Sequence, residues 1–328
     1  MLRPPTTLIT LSALTALLLS VPVYSAAPDC DRLCLLNTAN IYLRALAENN
    51  PDAAPLADDV AFVENITRLQ PGAGLWASAT AVSASYRILI PDPRQHTIGI
   101  MTVVTHRSDN DEASKLLAAR LKLAGREIIE AEHLVGDIPP IVDMARLSKP
   151  RAAMVTEVAP AERMPYRELA TIAASYYDGL NLSDGSLVPF AEDCERQENG
   201  MITGASYLGP EVFDQVDVNG NPPPPVATDC KGQMDSRRFA YIDSIDNRRV
   251  FAVDPVQGLV MSLSHFRQSM AKGPHRMMAA DGTEVMWDED REAYDLPAAH
   301  IFKITDGLIH EVEAVGIFVP YDADTGWE

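Results

Sequence analysis

Apolar residues recur at helical spacing in two stretches of the chain. Leu35, Ala39, Tyr42 and Leu46 share one face of a helix, and Leu169, Ala173, Tyr176 and Leu180 share one face of another. After each helix the period changes. A short strand ending in a Glu-Asn pair comes first. Apolar-rich strands then follow: HTIGIMTVVTH, KLLAARLKLA and EIIEAEHLV in the first half, and RRVFAVD, GLVMSLSHF, AAHIFKIT and LIHEVEAVGIF in the second. Asp306-Gly307 between the last two reads as a hairpin turn. A helical start followed by a meander of strands predicts an α+β fold with a curved antiparallel sheet in each half.

The two halves share more than a pattern. At a constant offset of 134, Tyr42 falls on Tyr176, Leu46 on Leu180, Pro55 on Pro189, Asp59 on Asp193, and Glu64-Asn65 on Glu198-Asn199. The Asp92-Pro93 and Asp254-Pro255 turns correspond. Near each end, at an offset of 181, Lys122 falls on Lys303, Ile128 on Ile309, Glu130 on Glu311 and Glu132 on Glu313. Three blocks in one order predict an internal duplication. The growing offset places two insertions in the second copy, one between Met201 and Cys230 that includes the Pro222–Pro225 run, the other between Gln268 and Ala298. The expected organisation is a leader over 1–25, a first module over 26–136, a Pro-rich linker over 137–164, and a second module over 165–328.

The leader reads as a signal peptide. Arg3 precedes the apolar run from Leu8 to Ser20, and Val23 and Ser25 are small residues suited to cleavage after Ser25. The run is shorter than the ~20 residues that a membrane span needs. A secreted or periplasmic protein is expected, free of the membrane once the leader is cleaved. Among its 328 residues, 46 are Asp or Glu and 27 Lys or Arg, for a net charge of −19. Such a surface repels phosphate backbones, which argues against nucleic acid as a partner. The four cysteines, Cys30, Cys34, Cys194 and Cys230, predict two disulfides in an exported chain. Three pairings are open, and Cys30–Cys34 with Cys194–Cys230 is the simplest. The spacing lacks paired CxxC knuckles, so no metal is expected.

The helical start, the L-A-D-D-V and F-A-E-D segments, and the closing F-K-I-T-D-G-L-I-H-E-V-E hairpin resemble the nuclear-transport-factor-2-like (SnoaL-like) superfamily. The CDRLC, VENITRL, DCERQENG and VPYDADTGW segments, with Arg248-Arg249, make the whole mature chain similar to a tandem secreted family of fungi and bacteria. The resemblance implies a cone: a bent sheet wrapped around a helix, with an apolar pocket at its open end. Members of the superfamily include cofactor-free isomerases, dehydratases, cyclases and lyases, and also non-catalytic binding and assembly domains. Fold therefore does not settle function.

Cofactor-free chemistry in an apolar cone needs an acid or base with a tuned pKa and donors for a developing oxyanion. Strand alternation puts His300 in phase with Phe302, and His310 in phase with Val312 and Ala314, all facing inward. His265 lies at a strand end. First-copy counterparts of His300 and His310 are Ala119 and Ile129, so the second module is the expected working copy. The catalytic candidates are His265, His300 and Glu198. Asn199, Tyr176, Arg249, His310 and Phe302 are the candidates for substrate contact. A strand histidine among apolar residues is also a common core residue, and the recurrent Glu-Asn pair can serve to order a strand–turn junction. Met270, Met277, Met278 and Met286 in the second insertion suit a lid or a plain surface loop. The expected function is that of a cofactor-independent lyase, isomerase or hydratase acting on a small apolar or aromatic molecule. The alternative is a non-catalytic protein that binds such a molecule or assembles, as a homo-oligomer for example.

Overall fold

The computed structural model describes residues 30–108, 111–208, 226–287 and 291–328, together with Met1. The leader and the Pro222–Pro225 run lie outside the described residues. The first half holds α1 (Arg32–Ala47), β1 (Leu56–Glu64), β2 (Thr67–Leu69), α2 (Leu75–Ser78), β3 (Ala79–Asp92), β4 (Thr97–Ser108), β5 (Asp111–Ala124) and β6 (Glu127–Asp137). A connecting segment carries α3 (Ala152–Val155). The second half holds α4 (Tyr166–Leu182), β7 (Phe190–Glu198), β8 (Met201–Ala205), α5 (Cys230–Asp235), β9 (Ser244–Asp254), β10 (Leu259–Gln268), β11 (His275–Met278), β12 (Glu284–Trp287), β13 (Tyr294–Thr305), β14 (Leu308–Gly316) and β15 (Val319–Pro320).

This is a mixed α+β fold with two large sheets. Their strand orders are β2-β1-β6-β5-β4-β3 and β8-β7-β14-β13-β10-β9, the same order when strands are matched one for one. The expectation of wholly antiparallel sheets needs correction. β1 runs parallel to β6, and β7 parallel to β14. A parallel pair requires a long crossover. Here the meander supplies it, because it starts at the far edge of the sheet and returns alongside the first strand.

The four layers run helix, sheet, sheet, helix. α1 packs Leu35, Tyr42 and Leu46 against Leu117, Ala119 and Leu121 on one face of the first sheet. α4 packs Leu169, Tyr176 and Leu180 against Val260, Phe302 and Val312 of the second. The remaining faces pack on each other: Ile88, Met101, Leu116 and Ala118 meet Leu259, Met261, Leu263 and Ile301. Both faces of each central strand are therefore dry. This is why KLLAARLKLA and GLVMSLSHF read as near-continuous apolar runs. The sheets approach closely at Gly99, where a Cβ would lie 2.6 Å from Met261 Sδ.

Polar contacts pin the halves together. Arg249 holds Glu132 with two hydrogen bonds of 2.8 and 2.6 Å. The buried Asp92 carboxylate accepts from Tyr166 Oη at 2.7 Å and from the Val253 amide at 3.0 Å. The connecting segment is a strap. It buries Leu147 and Met154 between the halves, and Arg151 reaches Glu195, Glu311 and Glu313 on the second sheet. Disulfides join Cys30 to Cys34 and Cys194 to Cys230, with Cα separations of 5.2 and 6.0 Å. Among the described residues, no helix is long and apolar enough to cross a membrane. β11 and β12 form a separate hairpin in which Met277 packs on Trp287 and Val226.

Candidate functional site

A chamber of about 230 Å³ opens between α4 and the second sheet. Each element contributes through its own periodicity. α4 presents Tyr176 and, one turn on, Leu180. β7 presents Arg196 and Glu198, two residues apart. β13 presents Ala298 and His300, β14 presents Ala314 and Gly316, and β10 presents Phe266 and Gln268. Phe239, Tyr241 and Ile242, which follow α5, close one wall, and Phe318 stands at the mouth, largely exposed.

His300 is 3% exposed and sits in an aromatic cage. Its ring lies 5.4 Å from Tyr176, 5.5 Å from Tyr177 and 5.9 Å from Phe266, and it stacks on Phe302 at 6.0 Å. Nδ1 is 3.2 Å from Tyr177 Oη, which also bonds to Ser262. Nε2 has no hydrogen bond to any described residue. Burial, with Arg196 adding its positive charge, pushes the His300 pKa down to about 3. The imidazole is therefore neutral across the physiological range.

Arg196 is the chamber's cation. Its Nη2 donates to Gln233 at 2.5 Å, its Nε donates to Thr203 at 3.2 Å, and its guanidinium lies over Phe239. Glu198 lies 3.4 Å away at the rim, with a side chain 42% exposed. Burial works against the Arg196 charge, but Glu198 and the phenols of Tyr176 and Tyr241 outweigh it and hold its pKa above the ordinary value. Burial raises the Tyr176 phenol despite the nearby arginine. Gln268 is buried in the opposite wall, and its Oε1 has no donor among the described residues.

The sequence-predicted residues divide. His300, Tyr176, Glu198 and Asn199 line the chamber. The Asn199 amide, however, is engaged by the Gly316 backbone, accepting at 2.9 Å and donating at 3.0 Å, as Asn65 is by Val135. Both asparagines have positive φ. Their recurrence marks a strand–turn junction rather than substrate contact.

The other candidates are displaced. Phe302 supports the His300 ring from the core and does not line the chamber. His265 does not face His300. Ser262 bonds to Tyr177 inside, so His265 takes the other face of β10, 3.4 Å from Asp295. Arg249 turns to Glu132 of the first half, and Arg248 to Asp178. His310 falls where the pairing of β14 with β7 and with β13 skips a residue. That bulge breaks strict alternation and leaves His310 on Asp193 at 2.7 Å, outside the chamber. Sequence reasoning missed Arg196, Gln268 and Tyr177. Arg196 lies in phase with Glu198, and that spacing was the available signal.

The first half handles the same positions differently. His133 is fully buried, with Nε2 2.8 Å from Tyr42 Oη and Nδ1 3.2 Å from Glu64. Glu64 also accepts from the Leu75 amide at 2.9 Å, anchoring α2. Glycine suits position 74, whose φ of +64° and ψ of −129° are strained for other residues, and a Cβ there would crowd Glu64 Oε1. α2 drives Trp76 edge-on against Tyr42 at 5.2 Å, whereas Tyr176 of the second half lines the chamber.

A family model described as a domain of unknown function (DUF8021) matches residues 162–316. Among solved structures, the chain is similar to AclR, a putative hydroxylase from Streptomyces galilaeus, at 9% identity over 37% of this chain and 100% of that one, with a TM-score of 0.28. It is similar to a hypothetical protein with a ketosteroid isomerase-like fold from Catenulispora acidiphila in complex with trimethylamine, at 14% identity over 34% and 93%, with a TM-score of 0.26. It is also similar to IdmH, a putative polyketide cyclase from Streptomyces antibioticus, at 15% identity over 45% and 91%, with a TM-score of 0.26. No curated protein matches. At these TM-scores the site must be argued from its own residues.

Proposed function

We propose that the chain is an exported tandem duplication of the cone module, and that its second copy is a cofactor-independent enzyme acting on a small, largely apolar ring compound. The modules span 26–136 and 165–328, with a leader over 1–25 and the strap over 137–164. The matching strand order of the two sheets supports the duplication. Two disulfides fit an oxidising compartment.

One observation carries the functional reading. Ala119 pairs with His133 across β5 and β6, and His300 pairs with Ala314 across β13 and β14. The same cross-strand pair thus holds one histidine in each half, on opposite strands. The first is satisfied on both nitrogens; the second keeps a ring nitrogen without a partner among the described residues, beside an open chamber. A neutral imidazole there hands a proton to, or takes one from, a carbon acid or its oxygen. Arg196 and Tyr176 stabilise negative charge developing on that oxygen. The apolar walls exclude water and strengthen both effects. A histidine with so low a pKa is a weak base. It works best as a hydrogen-bond donor to an enolate-like oxygen, or as a shuttle that never accumulates the charged form. Lyase, isomerase and hydratase steps that begin at a carbon beside a carbonyl pass through such a species. Glu198 at the rim keeps Arg196 charged.

The same low basicity favours the second reading, a binding protein without turnover. Exchange of the α-protons of aryl ketones such as 1-indanone in D2O, followed by proton NMR, separates the two. An enzyme accelerates exchange, and His300→Ala slows it by roughly 10²- to 10⁴-fold. Equal rates with and without protein, for ketones that bind, would leave the binding reading.

A further inference from the structure

Two polar groups of the chamber are left incompletely served by the protein. Arg196 is a buried cation whose one carboxylate contact among the described residues is Glu198, at 3.4 Å on a half-exposed side chain. Its other partners, Gln233, Thr203 and the Phe239 ring, are neutral. A buried charge so weakly balanced favours an anion. Gln268 lines the chamber and is 2% exposed, and its Oε1 lacks a donor among the described residues. A sealed carbonyl oxygen without a partner costs about 1–3 kcal/mol, and a ligand with an O–H recovers it.

The spacing sets the ligand's length. β7 and β10 are three strand intervals apart in the sheet order β7-β14-β13-β10. At ~4.8 Å per interval the backbones stand about 14 Å apart, and both side chains reach inward. One ring with a substituent at each end fits the gap. The volume agrees, since a cavity of ~150 Å³ takes benzene and this one is about 230 Å³. Phe266, Leu296 and Ile242 supply apolar walls for the ring faces.

Building on the reading of the chamber as a small-molecule site, we propose that its ligand is a hydroxylated aromatic or cyclic carboxylic acid. The carboxylate meets Arg196 and Tyr176, and the hydroxyl at the far end exchanges hydrogen bonds with the Gln268 amide. A hydroxyl suits that position because it can donate to Oε1 and accept from Nε2. An amine at the other end would meet the guanidinium and be repelled.

Three probes of one shape test this in the full mature chain: 4-hydroxybenzoate, benzoate and 4-hydroxybenzyl alcohol. Calorimetry gives affinity. The His300 imidazole proton resonance, assigned by its absence from His300→Gln, reports occupancy of the chamber. The expected order is 4-hydroxybenzoate tighter than the alcohol by about ten-fold or more, and tighter than benzoate by about five-fold. Gln268→Leu removes an unpartnered acceptor and so preserves the fold. It is expected to abolish the preference for the hydroxyl and keep the preference for the carboxylate. If the alcohol binds as tightly as the acid and shifts His300 equally, the acid assignment is overturned while the small-molecule site stands. A hydroxyl preference that survives Gln268→Leu overturns the role given to Gln268. If no probe moves the His300 resonance, both the assignment and the site on which it rests are lost.

Discussion

The two halves carry the same strand order, a tyrosine helix and a Glu-Asn strand, yet a chamber opens in the second where buried Leu117 and His133 stand in the first. In the first, Leu117, His133 and Val135 stand at the positions held by Ala298, Ala314 and Gly316 in the second. Larger side chains occupy that level in the first half, where Trp76 also packs on Tyr42; small ones clear it in the second. The histidine changes strand with the change of purpose. Where the space is closed, His133 ties Tyr42 to Glu64 and serves stability. Where it is open, His300 is held by its cage on one side only. Two sheets of one strand order tolerate this difference because, back to back, they make one continuous core. The first half buttresses the second, whose cavity forfeits packing energy.

Substitutions that exchange the character of the halves break or sharpen this comparison. Trp76→Ala should cost the most, about 3–5 kcal/mol in urea unfolding, because it opens a cavity beside Tyr42. Indole added to that variant should raise its midpoint and leave wild type unchanged; no response to indole would mean that the first half collapses rather than hollows. His133→Ala comes next, at about 2–4 kcal/mol, since Tyr42 Oη and the Glu64 carboxylate lose a buried partner. Ligand binding in the second chamber should stay within two-fold of wild type, roughly the spread expected for independent sites. A large loss there would show that the halves are coupled through more than their shared core.

The smallest effect belongs to the bridge between the halves. Burial raises the Glu132 carboxyl, but Arg249 and Arg120 outweigh it and hold its pKa below the usual glutamate range. Its contribution is therefore fully present above the unfolded pKa of about 4.3 and is lost as pH falls through the lower folded value. Glu132→Gln should lower stability at pH 7 by about 1–3 kcal/mol, and the gap from wild type should narrow steadily below pH 4. A gap that holds constant down to pH 2 would remove the ion pair from the account.

Much of the frame was legible in local pattern. Helical spacing placed Tyr42 and Tyr176 on buried faces, and strand alternation from Phe302 turned His300 inward. The cysteine pairing considered simplest is the one present. The failures share a cause. On β10, apolar residues cover both faces, because one sheet packs on the other, so alternation could not say which way His265 points. At His310 a single extra residue shifts the phase, and no local signal marks it. Arg196 sits in the polar run EDCERQEN, which reads as a wet edge. It is buried only because α5 and the Phe239 segment fold over it.

The sequence by itself determined the two tyrosine helices and where most strands run. These are properties of neighbouring residues and of periods of 2 and 3.6. Only the tertiary structure decided that a chamber opens in the second half. The reason is geometric. A chamber is a volume bounded by residues far apart in the chain, and its existence depends on Ala298, Ala314 and Gly316 being small at the same level while Arg196, Gln268 and His300 converge from three different strands.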